Sequence, residues 1–291
     1  MVENTVDGKF FVTARGWEDL SEILKSYEEL QVEIGEELIG EFLQKEEIAR
    51  DFAGYYRLYE KYKSDYQIQE ILDGNVTSRQ LKTCCDMGKK ASFEERFTVT
   101  EMLLEAVTER ISVFQKIDEK TEKLYENLKL LKIFLQEKNS VEAMEQFVAS
   151  RRKALDAKIC SELLTAEEAA REEEQIRILE EYFFQLKELH ISDVAEGIEQ
   201  IGERFGNVCR LRNEKLEETK KMLEQAFSFL EECFGEGQEL LLFETGLTGD
   251  DRCSIFISQY GCPSYFKHCE LLLYSKKENE LRKECRDLLE E

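Results

Sequence analysis

The stretch 12-VTARGWEDLSEILKSY-27 determines the fold class, because it contains the first clear helical pattern of the chain. A β-branched lead-in ends at Thr13. The apolar residues that follow recur at the i, i+3, i+7 and i+10 spacing of one helix face, at Trp17, Leu20, Leu24 and Tyr27. The spacing predicts an amphipathic helix from about Trp17 to Leu30.

Arg15 and Gly16 stand at the start of this helix. Gly16 allows the backbone to turn closely into the first helical turn. An arginine is unfavourable there for the helix dipole, but its guanidinium and the N–H groups of the turn would together attract a phosphate. From the spacing alone, a solvated arginine beside a core helix is the simpler interpretation.

Three further short helices are predicted next, near Glu36–Gln44, Lys45–Lys63 and Asp65–Leu72, with Gly74 as the C-cap of the last. The predicted helix at Lys45–Lys63 carries a stripe of tyrosines that resembles a base-stacking platform. Little basic charge accompanies the stripe, so a core face whose phenol groups reach the surface is the better interpretation.

A run of long helices follows as far as Phe234. Ser92 with Glu95 and Thr165 with Glu168 form capping boxes, and Ser192 is a further candidate cap. One predicted helix passes through Leu103 and Leu135. A break at 137–140 separates it from a helix that runs from Val141 to about Leu164. A last long helix carries the apolar residues from Leu216 to Phe234. Narrow apolar stripes with dense Glu and Lys flanks predict an antiparallel coiled-coil arm or an elongated bundle.

The tail differs in character, since short apolar runs alternate with glycines. Leu240–Phe243 and Cys253–Ile257 could pair as a short hairpin, or Cys253–Ser258 could begin a helix. Tyr265–Leu289 reads as a terminal helical region. The predicted fold class is therefore all-α, with a lid-like helical segment at 9–74, a linker at 75–89, a helical arm at 90–235 and a small terminal module at 236–291.

The composition limits the partners. The net charge of −23 argues against nucleic acid and anionic membranes, which attract clustered Lys and Arg. No stretch reaches the roughly 20 apolar residues of a membrane span, and MVENTVDGKF at 1–10 lacks the regions of a signal peptide. Nine cysteines without an export signal predict free thiols in a reducing cytoplasm.

The run FFVTARGWEDLSEIL at 10–24 resembles the sensor 2 segment of the MoxR-like branch of AAA+ ATPases, where a [ST]-P-R-[AG]-W-like string opens a lid helix. Thr13, Arg15, Gly16 and Trp17 match this string, and Ala14 replaces the usual proline. Three more stretches resemble MoxR-like ATPases with a long helical extension: EEIARDFAGYYRLYEKYKSDYQIQEIL at 46–72, KKASFEERFTV at 89–99 and FISQYGCPSYFKHCELLLY at 256–274.

The resemblance implies that Arg15 reaches the γ-phosphate of ATP, with Thr13 and Gly16 beside it. It also implies that the complete protein binds ATP and Mg²⁺, assembles into rings with sister subunits, and remodels partner proteins, often ones with von Willebrand A domains. The chain has no G-x-x-x-x-G-K-[ST] motif, and no apolar strand ends in the paired acids of a Walker B motif. By itself it is not expected to hydrolyse ATP.

Two alternatives stay open. The chain could be a stand-alone cytoplasmic helical scaffold or adaptor that binds no nucleotide. Alternatively, Cys253, Cys262, His268 and Cys269 could carry a thiol- or metal-dependent activity. Zinc ligands usually occur in pairs two to four residues apart, and the C-x₈-C-x₅-H-C spacing lacks such pairs, so buried thiols and a buried histidine are predicted and no metal site. Asp250–Asp251 likewise lacks the ligand pattern of an EF-hand.

Overall fold

The computed structural model describes residues 3–5, 8–10, 12–30, 32, 34–135 and 139–273. Across these ranges the chain is all-α, which confirms the fold class predicted from the helical periodicity. The described residues form twelve helices and a short antiparallel ladder in which β1 (Glu3–Thr5) pairs with β2 (Gly8–Phe10). None of the described helices has both the length and the apolar character needed to cross a bilayer.

The chain divides into two compact units whose boundaries differ from the predicted ones. Unit 1 comprises Met1–Leu103 and Phe229–Leu242, and unit 2 comprises Leu104–Ser228 and Phe243–Glu291. The predicted modules at 9–74, 90–235 and 236–291 were each continuous in sequence. Both observed units instead combine two separate segments of the chain.

Unit 1 contains five complete helices, which are α1 (Ala14–Glu29), α2 (Glu36–Leu43), α3 (Glu46–Tyr66), α4 (Ile68–Leu72) and α5 (Ser78–Gly88). The first three share one core, formed by Leu20, Leu24, Ile39, Leu43, Ala49, Ala53 and Tyr56. The predicted tyrosine stripe contributes Tyr56 to this core, whereas Tyr55 is exposed. The first three predicted helices are therefore confirmed, with shifts of a few residues at their ends.

Most of the segment at 75–89, which was predicted to be a linker, forms helix α5. Thr77 and Gln80 make a capping box at its start, and Cys84 and Cys85 are buried. Cys85 forms a disulfide with Cys233, whose Cα lies 4.3 Å away although 148 residues separate the two in sequence. The prediction that every cysteine is a free thiol is therefore wrong for this pair. No local sequence signal identifies a partner at that separation.

Unit 2 contains most of α6 (Phe93–Phe134) and α9 (Val194–Phe234), together with α7 (Ser140–Cys160) and α8 (Ala166–Glu188). Ion pairs show that α7 and α8 are antiparallel, since Arg152 pairs with Glu180 and Lys158 with Glu172. The pairs Asp118–Arg212 and Tyr125–Phe205 show that α6 and α9 are also antiparallel to each other. The antiparallel bundle predicted for the long helices is thereby observed in unit 2.

Helix α9 corrects two details of the prediction. It is one continuous helix of 41 residues, where two shorter helices were expected. Its first turn is capped by Asp193, whose Oδ2 accepts the N–H of Glu196 at 3.1 Å, and not by Ser192. The three glycines inside α9, Gly197, Gly202 and Gly206, are tolerated in a helix at a cost of about 1 kcal/mol each, and no proline interrupts this stretch.

The remaining helices are α10 (Gln238–Gly249), α11 (Asp251–Tyr260) and α12 (Pro263–Leu273). The helical alternative for Cys253–Ser258 is therefore correct, and the hairpin is wrong. Asp250 caps α11 by accepting the N–H groups of Arg252 and Cys253. Pro263 occupies the first position of α12, where its missing N–H is harmless. The predicted continuation to Leu289 lies outside the described residues.

Candidate functional site

Helix α1 begins at Ala14 with Thr13 as its N-cap. The Thr13 backbone is extended, and its hydroxyl oxygen accepts the Gly16 N–H at 3.0 Å. A side-chain cap of this kind satisfies one of the N–H groups that every helix leaves unpaired in its first turn. The replacement of the family's proline by Ala14 therefore leaves a well-formed helix start.

Gly16 is required by packing against helix α2. A Cβ atom at this position would lie 2.9 Å from the main-chain oxygen of Phe42, which is closer than real Cβ atoms come. The matched glycine therefore sets how closely the first turn of α1 approaches the end of α2. Sequence reasoning assigned it to a backbone turn, and the structure assigns it to a helix–helix contact.

Arg15 points away from the core shared by α1, α2 and α3. Its side chain is 87% exposed, and its Nε lies 3.8 Å from Oδ2 of Asp19 one turn later on the same helix. An exposed pair of this kind contributes little to stability, since solvent screens the charges. The guanidinium can therefore leave Asp19 for a stronger anion without disturbing the fold.

Trp17 joins this helix start to an aromatic row on α3. Its indole meets the ring of Phe52 edge to face at 5.2 Å, and Phe52 is followed by Tyr56 at 6.4 Å. The hydroxyl of Tyr56 donates to Glu28 at 2.9 Å. The pKa of Tyr56 is raised, mainly because the phenol is buried and secondly because it donates to Glu28. The row fixes the orientation of α1 and leaves the side chain of Arg15 outside it.

The chemistry of this helix start fits a phosphate oxygen better than a metal ion. It offers a cation on a rigid helix and a hydroxyl-capped first turn, and a single carboxylate, that of Asp19, pairs with Arg15 among the described residues. Mg²⁺ prefers several oxygen ligands in octahedral geometry. Within the described ranges, no group of three or more His, Cys, Asp or Glu side chains could hold a metal ion.

The cysteine and histidine residues of the tail have separate partners in unit 2. The sulfur of Cys253 lies 3.6 Å from the hydroxyl oxygen of Thr108, and that of Cys262 donates to Glu224 at 3.3 Å. Burial raises the pKa of Cys253 to about 11 and that of Cys262 to about 12. Both thiols therefore stay protonated near neutral pH and are poor nucleophiles.

His268 and Cys269 complete the tail constellation. His268 is buried and stacks on Phe227 at a centroid distance of 5.8 Å, whereas Cys269 is half-buried. The predicted burial is thus confirmed for Cys253, Cys262 and His268. Asp250 serves as a helix cap and pairs with Arg252 at 2.7 Å, and the hydrogen bond from Arg252 lowers the pKa of Asp250.

Sequence reasoning missed the polar network that joins Asp118, Arg212 and Tyr260 in unit 2. Arg212 donates to Asp118 at 2.7 Å and to the Tyr260 hydroxyl at 2.7 Å, and this hydroxyl donates to Asp118 at 2.6 Å. The guanidinium also lies over the ring of Phe114. The three polar residues come from α6, α9 and α11, so spacing along the sequence could not have identified them.

No family model, no curated protein and no solved structure matches the chain. The fold class is therefore defined by the helices themselves. The resemblance of 10–24 to a sensor 2 segment stays a prediction.

Proposed function

We propose that residues 9–74 act as the lid segment of a MoxR-like AAA+ ATPase, with Arg15 as the residue that senses the γ-phosphate. The observation that supports this most is the 87% exposed side chain of Arg15 at the first turn of α1, which makes a long pair with Asp19. The flanking positions Thr13, Gly16 and Trp17 also have the roles that such a helix start needs, as cap, close contact and aromatic anchor.

Arg15 would bind through its planar guanidinium, which matches two oxygens of a phosphoryl group. Positive charge at this point stabilises the negative charge on the transferring group. The nucleotide and its Mg²⁺ belong to a P-loop core that this sequence lacks, where the metal neutralises the phosphates. Because α1, α2 and α3 share one core, a pull on Arg15 would move all three as a rigid body.

On this proposal the chain works with an AAA+ core and sister subunits in a ring. It transmits ATP turnover into remodelling of a partner protein, which could carry a von Willebrand A domain. The predicted location is the cytoplasm, where a disulfide such as Cys85–Cys233 would form only transiently.

The test measures ATP turnover and ATP affinity in the complex of this chain with the P-loop ATPase encoded in frame with it or beside it. Arg15→Ala should lower kcat about tenfold or more and change the Kd for ATP less than about threefold, since the interaction acts mainly in the transition state. Arg50→Ala is the matched control, because Arg50 is another exposed arginine of unit 1 that pairs with Glu46. Unchanged turnover in Arg15→Ala would overturn the sensor assignment.

A second candidate is a helical scaffold that binds no nucleotide. It is favoured by large apolar side chains exposed on the long helices of unit 2, among them Ile133, Phe184 and Leu211. Exposed apolar groups are common singly and mark an interface when they form a patch. The DNA around the gene discriminates the two functions, since a P-loop reading frame supports the ATPase and its absence supports the scaffold.

A further inference from the structure

A cleft of about 710 Å³ in unit 2 is lined by residues of α6, of the first half of α8 and of the start of α11. Its charge is opposite to that of the chain. Five cationic side chains and three carboxylates line it, whereas the whole sequence has 40 Lys and Arg against 63 Asp and Glu. A local excess of cations in an acidic protein attracts anions to this one place.

Three of the five cations are already paired. Lys120 lies 2.5 Å from Glu174, Arg171 lies 3.3 Å from Glu167, and Arg252 lies 2.7 Å from Asp250. These pairs account for two of the three lining carboxylates, so the lining acids are largely neutralised by neighbours.

The other two cations are Lys116 and Lys123. They are seven residues apart on α6 and thus lie on the same helix face, and both are exposed. Neither forms an ion pair within 4 Å with any residue in the described part of the chain, although Lys123 acts electrostatically on Glu168 and the third lining carboxylate, Glu119, lies between the two lysines on α6. They are therefore the cationic groups that can bind an added anion without breaking an existing pair.

Gln175 supplies a second, independent feature of the cleft. Its side chain is only 6% exposed, and its Nε2 donates to the main-chain oxygen of Lys120 at 3.1 Å. Its Oε1 accepts no hydrogen bond from any described residue. An amide oxygen buried without a partner is costly. Because this oxygen is closed to water in the observed position, a bound donor would stabilise it after the amide turns toward the cleft.

We infer that this cleft binds a small organic phosphate, whose phosphoryl group contacts Lys116 and Lys123 and whose hydroxyl group donates to Oε1 of Gln175. Lysine ammonium groups bind phosphates as point charges. The volume is that of a small-molecule site. The inference is independent of the proposed lid function, because it uses neither Arg15 nor any other residue of unit 1.

The test is calorimetric titration of the full chain at low ionic strength with glycerol 3-phosphate, inorganic phosphate and glycerol. Glycerol 3-phosphate should bind saturably, and glycerol should not bind. Lys116→Gln with Lys123→Gln should raise the Kd for glycerol 3-phosphate about tenfold or more, since two charge contacts are lost. The matched control combines Lys153→Gln with Lys221→Gln, which removes the same charge from two exposed lysines of unit 2 outside the cleft. The control should stay within about twofold of the wild type.

Gln175→Leu tests the hydroxyl contact. It should weaken glycerol 3-phosphate about fivefold and leave inorganic phosphate within about twofold, because one hydrogen bond is lost from the organic ligand alone. Equal affinities of the wild type for the two phosphates would overturn this part of the inference. Thermal unfolding of each variant checks that it is folded.

Chemical acetylation locates the site. Glycerol 3-phosphate should protect Lys116 and Lys123 from acetylation more than Lys153 and Lys221, as quantified by mass spectrometry. The cleft is not a phosphate site if no saturable binding occurs, if the control double variant loses as much affinity as the cleft variant, or if all four lysines are protected equally.

Discussion

In unit 2, α7 and α8 follow one another along the chain and pack as an antiparallel pair, whereas in unit 1 helix α5 is bonded to α9 through Cys85 and Cys233, 148 residues apart. The pairing of α7 with α8 is local, because a five-residue connection brings α8 back along α7. The bond between α5 and α9 joins chain segments that are distant in sequence. The periodicity of apolar residues thus predicts the antiparallel helices of unit 2, whereas it does not predict the bond between α5 and α9 in unit 1.

One charged pair from each unit illustrates how burial changes the role of a charge. In unit 2, Asp118 and Arg212 form a half-buried pair with the Tyr260 hydroxyl, and this network joins three helices. In unit 1, the start of α1 leaves Arg15 exposed with a long contact to Asp19. A charged group that is half-buried and closely hydrogen-bonded stabilises a fold, whereas an exposed charged group with a distant partner is available to a ligand.

The largest expected effect tests the core of the unit 2 bundle. Phe147 is 2% exposed and meets the ring of Phe134 edge to face at 5.4 Å. Phe147→Ala should lower the free energy of unfolding by about 3–5 kcal/mol, because a large cavity replaces the ring. Denaturant unfolding measures this, with Phe184→Ala as the exposed control, expected to cost less than about 1 kcal/mol. Equal effects of the two variants would contradict the packing of this bundle.

The second-largest effect on stability is expected from the disulfide of unit 1. Cys85→Ser with Cys233→Ser should lower the free energy of unfolding under oxidising conditions by about 2–4 kcal/mol, since the disulfide closes a long loop in the unfolded chain. A reducing agent should produce a similar loss in the wild type. Cys160→Ser removes an exposed free thiol and serves as the control. Ready alkylation of Cys85 and Cys233 in the native, non-reduced protein would show that the bond is absent.

A glycine pair on α9 tests helix packing in unit 2. A Cβ at Gly197 would lie 2.5 Å from Cβ of Ser140, whereas one at Gly202 would meet open space. Gly197→Ala should therefore cost about 1–3 kcal/mol through overpacking. Gly202→Ala should stabilise the protein by about 0.5–1 kcal/mol, since alanine favours the helix. Thermal unfolding of both variants measures the difference in sign, and stabilisation by both would mean that α9 does not approach Ser140 closely.

The smallest effect concerns a buried carboxyl group of unit 2. Glu244 is 2% exposed, and its Oε1 has no hydrogen-bond partner among the described residues. Burial raises the pKa of Glu244, against a smaller lowering by His268. The folded state therefore binds this proton more tightly than the unfolded state, so stability falls as the pH rises from the ordinary glutamate pKa through the raised one.

Glu244→Gln removes this titration, so the variant should gain stability relative to the wild type as the pH rises from 4.5 to 8. Denaturant midpoints across that range measure the gain. The exposed Glu199 provides the control, and Glu199→Gln should shift stability by a nearly constant amount. A constant difference for Glu244→Gln as well would contradict the raised pKa of Glu244.

The sequence placed Thr13, Arg15 and Gly16 around the start of α1, and the exposed position of Arg15 follows from the apolar face formed by Leu20 and Leu24. The role of Thr13 as the N-cap was not predicted, because the helix was expected to begin near Trp17. The contact of Gly16 with the Phe42 main chain could not be predicted, because it depends on where α2 lies against α1. The cleft around Gln175 was missed for the same reason, since its lining comes from three helices.

By itself, the sequence determined the all-α class, the capping box at Thr165, the Ser92 side-chain cap and the approximate extents of α6 and α7, because these features depend on residues three to seven positions apart. Only the tertiary structure decided the two-segment composition of the units, the Cys85–Cys233 bond and the network of Asp118, Arg212 and Tyr260. Contacts between residues far apart in the chain depend on how the helices pack, and the spacing of nearby residues does not predict that packing.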